Sequence, residues 1–221
     1  LFRPAATVLL FSKRDAEAVH LLSFRLRGMY ERLPPWMRAR QLLVDNEHEV
    51  HLSNDSVALS FPGTGGRSYT ATLVIVDEAD HLEDLDALLD AVKPTIDAGG
   101  RLILVSTVNK DRPGSQFQRI YSAARAGDND YCPVFLPWRA RPDRTADWYE
   151  RQRRDIVART GGLDSLYAEY PAADIEALAG REIDRRFAPA WLSAAADLPI
   201  DIPPLPAGAP AIPELTVFVP P

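Results

Sequence analysis

The sequence of 221 residues has little cysteine, no long apolar segment and no excess of basic residues. Because Cys132 is its one cysteine, the chain cannot form an intrachain disulfide, which fits a reducing cytosol. The formal net charge of -6 argues against a dedicated DNA-binding module, although a local basic patch could still contact DNA. The longest apolar runs, such as Leu73 to Val76, are too short to span a bilayer.

The chain also lacks a zinc-binding pattern and a targeting segment. Its histidines are His20, His48, His51 and His81, and no cysteine or second histidine pair accompanies the close pair at 48 and 51. No charged-then-apolar signal segment opens the sequence. Since residue 1 is Leu and a strand-like run follows almost at once, we expect the sequence to start inside a longer protein. The single cysteine and the missing signal segment lead us to expect that this protein acts in the cytoplasm.

Strand-like and helix-like segments alternate along the first two thirds of the chain. The strand-like segments are 6–11, 49–52, 57–61, 72–76, 101–105 and 131–136. The helix-like segments are 12–33, with Ser12 as its predicted cap, 85–92, 115–126, 147–158 and 161–170. This alternation predicts an α/β fold with a mostly parallel, doubly wound sheet. The segments 72–76 and 101–105 are apolar apart from their first residues, Thr72 and Arg101, so we predict adjacent parallel strands in the sheet interior.

Two carboxylates follow the apolar run Leu73 to Val76. Asp77 and Glu78 would lie at the carboxyl end of a buried strand, where α/β sheets bind ligands. The pattern resembles the Walker B motif of P-loop NTPases. That resemblance implies that Asp77 holds Mg²⁺ and that Glu78 orients or deprotonates the attacking water. The alternative is a strand end that meets solvent with two acids, and we interpret the acids of 80–90 as a solvated helix face.

Polar residues also follow the next apolar strand. Ser106, Thr107 and Asn109 come directly after Arg101 to Val105. They resemble the coupling motif of terminases and the equivalent motif of helicases, which implies that they sense the γ-phosphate of ATP. The alternative is a helix cap or a Ser/Thr turn. Two polar strand ends on neighbouring strands are more specific than either alone.

A phosphate-binding loop is missing from the sequence. Such a loop has the pattern G-x-x-x-x-G-K-[ST] after a strand and at the start of a helix. The nearest candidate, Phe61 to Ser68, has Phe61 in place of the first glycine and Arg67 in place of lysine. Only Tyr69 to Ala71 separate it from the next strand, which leaves no room for a helix. We therefore interpret it as a turn, with Arg67 as a surface cation or a weak DNA contact.

The segments around these motifs resemble the large subunit of phage terminases, the DNA-packaging motors. The matching stretches are ATVLLFSKRDAEAVHLL, FPGTGGRSYTA, Phe135 to Trp138, Trp148-Tyr149 and Tyr167 to Gly180. The resemblance runs from Ala6 to about Phe187. It implies a RecA-type P-loop NTPase core at 1–140 without its first strand and phosphate loop, and a small helical linker subdomain at 141–197. Residues 198–221 would then be a Pro-rich linker and the start of a missing nuclease domain.

The same resemblance implies function and partners. ATP and Mg²⁺ would be the cofactors, and hydrolysis would drive double-stranded DNA into a procapsid in the host cytoplasm. The terminase small subunit and the portal protein would be partners, and the longer protein would form a homo-oligomeric ring. The 221 residues alone should be a poor ATPase. The alternatives are a fragment of a DEAD-like helicase-type motor, or an inactive prophage remnant that binds DNA or partner subunits.

Overall fold

The computed structural model describes residues 3–38, 40–63 and 68–181. Its strands are β1 Thr7–Ser12, β2 Leu42–Asp45, β3 Glu49–Leu52, β4 Val57–Pro62, β5 Leu73–Val76 and β6 Arg101–Leu104. Its α-helices are α1 Asp15–His20, α2 Arg27–Arg32, α3 Leu85–Ile96, α4 Gln116–Ala126, α5 Ala146–Thr160, α6 Asp164–Glu169 and α7 Asp174–Leu178. The predictions for Arg67 and for residues 182–221 lie outside the described residues.

The six strands form one sheet in the order β2-β3-β4-β1-β5-β6. β4, β1, β5 and β6 are parallel to one another, and β2 and β3 form an antiparallel extension. The predicted α/β fold with a mostly parallel sheet is therefore confirmed. Because β1, β5 and β6 run in the same direction, the residues after Ser12, Val76 and Leu104 meet at one edge of the sheet.

Alternate residues of the central strands pack into two separate cores. Leu9 and Phe11 of β1 join Val74 and Val76 of β5 against α3 and its neighbours on one face. Leu10, on the opposite face, packs with Leu22, Val50 and Ala58. Successive strand residues point to opposite faces, so apolar residues in succession give a sheet covered on both sides. This three-layer arrangement fixes the strand ends that carry the site.

The predicted first helix begins later than expected. Ser12 is the last residue of β1 rather than a helix cap, and its hydroxyl lies 3.4 Å from Glu17 Oε2. The helix starts at Asp15 and continues through a π-helical segment, Leu21–Leu26, into α2. Pairing with β4 and β5 keeps the chain extended through Ser12, and this overrides the capping preference of serine.

Two predictions about the far side of the sheet were wrong. β6 lies beside β5 and parallel to it, as predicted, but it is an edge strand within the described residues rather than an interior one, and Ile103 and Val105 are exposed at 45% and 47%. Residues 131–136 form no strand, and Val134 and Leu136 are even more exposed. β6 has a partner on one side only, and residues 131–136 have none in the described part of the chain, although both segments have strand-like sequences.

The helical region after residue 140 packs through aromatic side chains. Trp138 stacks on Tyr149 with ring centroids 4.6 Å apart, and Trp148 meets Tyr170 edge-on at 5.2 Å. The Arg144 guanidinium lies 4.7 Å from the centre of the Trp148 ring. Aromatic residues from separate terminase-like segments of the sequence thus meet in one cluster.

The domain boundaries at 140 and 197 stay predictions. No described helix is long and apolar enough to cross a membrane.

Candidate active site

The candidate site is a cleft at the carboxyl edge of the parallel strands. It has a volume of ≈ 530 Å³. Lys13 lines it after β1, Asp77 and Glu78 after β5, and Thr107 after β6, while Glu169 reaches it from α6. The cleft therefore joins the ends of three adjacent strands with the helical region. This is where open α/β sheets bind ligands.

Glu78 occupies an uncommon backbone conformation at the mouth of this cleft. Its φ of 51° and ψ of 42° are left-handed, a region that costs a non-glycine residue about 1–2 kcal/mol. Such strain concentrates at functional sites. The chain then turns tightly through a 3₁₀ segment, Ala79–His81, with the His81 amide donating to the Glu78 carbonyl at 2.9 Å. The Glu78 side chain lines the cleft beside this turn.

The Glu78 carboxyl group is partly removed from water. Its Oε2 atom is buried and makes no hydrogen bond within the described part of the chain. Burial raises the pKa of Glu78, the nearby His81 lowers this pKa, and the negative charge of Asp77 raises it further. A buried carboxylate with a raised pKa accepts a proton more readily than an exposed one. That property suits a group that takes a proton from water.

Asp77 could hold a divalent cation together with a phosphate ligand. It is half-buried at the end of β5, where its amide donates to the Phe11 carbonyl at 2.8 Å. The described residues contain no group of three or more His, Cys, Asp or Glu side chains placed to hold a metal. Mg²⁺ usually takes only one or two carboxylates and completes its shell with water and substrate phosphates. One carboxylate beside a second acid fits that ion.

The three polar residues after β6 have different positions. Thr107 lines the cleft, and its Oγ1 lies 3.2 Å from His81 Nε2. Ser106 instead accepts a hydrogen bond from the Asp80 amide at 3.0 Å. The Asn109 side chain accepts from the Asp111 amide at 3.0 Å. The structure thus brings Asp77, Glu78 and Thr107 together, whereas the other two side chains stabilise the loop.

The sequence interpretation missed Asp80. We placed it on a solvated helix face, but it is only 2% exposed. Its carboxylate accepts from the Asn109 amide at 2.6 Å, from Gln118 Nε2 at 2.9 Å and from the Ser115 hydroxyl. A buried carboxylate needs such partners. Asp80 therefore fixes the loop after β6 against the loop after β5. The acids that follow it, Glu83, Asp84 and Asp86, are exposed as expected.

Lys110 was missed as well, and it ties the same loop to the helical region. It is 8% exposed, and its Nζ donates to the carbonyls of Glu176 and Ala179 at 2.7 and 2.6 Å. These carbonyls lie at the C-terminal end of α7, where a cation is favourable. Arg125 and Tyr121 of α4 hold Asp174 at the other end of α7. A lone lysine after a polar loop gives no sequence signal for this contact.

The chain thus has a mostly parallel α/β sheet with two acids at the carboxyl end of an interior strand. The solved structures that match this fold include phage large terminases. The chain aligns with the ATPase domain of the Thermus phage P74-26 large terminase over 77% of both chains, at 15% identity and a TM-score of 0.51. It aligns with the HK97 bacteriophage large terminase at 14% identity and a TM-score of 0.54, covering 76% of this chain and 40% of that one.

A third match is the large terminase from a thermophilic bacteriophage, at 11% identity and a TM-score of 0.53, which covers 69% of this chain and 38% of that one. A further structure of this third terminase is a complex with ADP. No protein-family model and no curated protein matches the sequence. The chain therefore has the fold of a phage large terminase ATPase domain.

Proposed function

We propose that this chain is part of a terminase-type ATPase and supplies the hydrolytic side of its nucleotide site. ATP would bind in the cleft at the carboxyl edge of the sheet. Asp77 would hold Mg²⁺, which neutralises charge on the phosphates, and Glu78 would orient the attacking water and accept its proton. Thr107 would contact the γ-phosphate. The observation that carries this proposal is Glu78, a strained and partly desolvated carboxylate at the ligand-binding edge of this fold.

The phosphate-binding loop would come from a segment outside the 221 residues. Residues 68–72 contain no helix, so the chain does not open one directly after its glycine-rich segment, 63–66. The open edge of β6 supports this proposal, because Ile103 and Val105 present apolar surface beside unpaired backbone groups in the described part of the chain. A further parallel strand could pair there and bring its loop to the cleft. Apolar strands of parallel sheets are normally covered in this way.

We also propose that turnover drives packaging of double-stranded DNA into a procapsid. The support is the likeness in fold to phage large terminases. In this role the longer protein would work as a homo-oligomeric ring with a small terminase subunit and a portal protein, in the host cytoplasm. Arg67 would be a weak DNA contact.

The test uses an extended protein that includes the sequence encoded before Leu1. We expect Mg²⁺-dependent ATP hydrolysis, measured by phosphate release with and without double-stranded DNA. Absence of turnover by a folded extended protein, or absence of a phosphate loop in its added sequence, would contradict the proposed activity. That result would favour an inactive prophage remnant. ATP-driven strand separation without packaging would favour a helicase-type motor instead.

A further inference from the structure

His81 lies between the two parts of the proposed site. The left-handed conformation of Glu78 and the 3₁₀ turn that follows bring the imidazole back towards the acid. His81 Nε2 lies 3.7 Å from Glu78 Oε2. The same nitrogen lies 3.2 Å from Thr107 Oγ1. One ring nitrogen therefore faces both the carboxylate after β5 and the hydroxyl after β6.

Among the charged neighbours of Glu78, His81 makes the strongest favourable electrostatic contact with its carboxylate. Within the described residues, Glu78 Oε2 makes no hydrogen bond of its own. Its other charged neighbours are Asp77 and Glu169, which repel it, and Lys13, which acts more weakly than His81. The His81 side chain is 28% exposed and shares the cleft with all of these groups. The ring can contact Thr107 as donor or as acceptor, depending on which nitrogen carries the proton.

We propose that His81 is a positioning residue for ATP hydrolysis, holding the water-orienting carboxylate of Glu78 in register with the Thr107 hydroxyl. This inference rests on the proposed function of the site. A general base acts only within hydrogen-bond reach of its water, about 2.6–3.2 Å. A displacement of about 1 Å can cost about 10²-fold in rate. His81 restricts such displacement because it links the acid to the neighbouring strand end.

The test compares His81→Ala and His81→Gln in the extended protein that hydrolyses ATP. We expect His81→Ala to lower kcat by about 10- to 100-fold while the affinity for a non-hydrolysable ATP analogue and the thermal unfolding midpoint change little. His81→Gln keeps a side chain that can hydrogen bond to Thr107 and should recover part of the loss. His48→Ala is the matched control at an exposed histidine, and it should leave both kcat and affinity unchanged.

A double-mutant cycle with Glu78→Gln separates positioning from an independent effect. If His81 acts through Glu78, His81→Ala should cause little further loss of turnover in the Glu78→Gln background. Equal losses in both backgrounds, or unchanged kcat in His81→Ala alone, would overturn this inference while leaving the proposed ATPase intact. Absence of turnover in the unsubstituted extended protein would overturn both.

Discussion

Glu78 combines two features that cost stability, and both serve its proposed role. Its left-handed backbone is strained, and its carboxyl group is partly desolvated. Functional groups often carry such costs, because the geometry that suits the reaction differs from the geometry that suits the fold. The acid pair itself was predictable, since an apolar run followed by two acids marks a strand end. The strain and the burial were not, because they depend on the turn and on the neighbouring strands.

The raised pKa of Glu78 predicts how stability depends on pH. The folded chain binds the Glu78 proton more tightly than the unfolded chain does. The free energy of unfolding therefore falls as pH rises above 4.5, the ordinary pKa of this carboxyl group. We expect Glu78→Gln to raise the thermal unfolding midpoint at pH 7, with the difference shrinking as pH falls towards 4.5. Thermal unfolding across this pH range measures it. Glu83→Gln, at an exposed position, is the control, and an equal gain in that variant would contradict the prediction.

Asp77 and Glu78 should differ in their effects on an active, extended form of the protein. Asp77→Asn should weaken binding of Mg²⁺-ATP as well as turnover, because it removes charge beside the metal. Glu78→Gln should leave ATP binding nearly intact and lower kcat by roughly 10²- to 10⁴-fold, the usual worth of a general base. ATP affinity and kcat of both variants decide the matter. Normal ATP affinity in Asp77→Asn together with normal kcat in Glu78→Gln would show that the two acids are only a solvated strand end without a role in hydrolysis.

At the scale of elements, local pattern predicted the strands that find partners nearby. β1, β4 and β5 were predicted closely because each has a neighbour on both sides and apolar residues on both faces. The segment 131–136 is also rich in apolar residues, yet it pairs with no strand in the described residues. The short helix α7 was missed because Ile175 is exposed and the helix depends on distant polar contacts. Such contacts cannot be predicted from apolar periodicity.

Lys110 should be needed to hold α7 on the loop after β6. A helix of five residues is not stable alone, so its tertiary contacts decide whether it forms. Lys110→Met keeps most of the length of the side chain but loses two charge-assisted hydrogen bonds, for a cost of about 2–4 kcal/mol. We expect faster amide exchange across Asp174–Leu178 and a lower free energy of unfolding. Lys93→Met, at an exposed position of α3, should change both very little; unchanged exchange in Lys110→Met would refute this account.

At the scale of the whole molecule, the fold contains one side of the proposed nucleotide site. Asp77, Glu78 and Thr107 line the cleft in which we propose that Mg²⁺ binds and water is activated. The chain lacks the lysine-bearing loop that cradles the β- and γ-phosphates, as the sequence alone establishes. The free edge of β6, in contrast, emerged only from the structure, because its apolar sequence is typical of an interior strand. Fold and chemistry thus indicate a site that depends on another segment.

The 221 residues by themselves should therefore bind ATP weakly and show no measurable hydrolysis. Phosphoryl transfer depends almost entirely on positioning and charge neutralisation, and the missing loop supplies most of both. Phosphate release by the purified chain, with Mg²⁺ and with or without DNA, should match a protein-free blank, while calorimetry should detect only weak nucleotide binding. An extended protein that carries the loop is the matched positive control. Steady turnover by the 221-residue chain, abolished by Glu78→Gln, would show that these residues already hold the phosphates, and that the segment Phe61 to Ser68 had been misinterpreted.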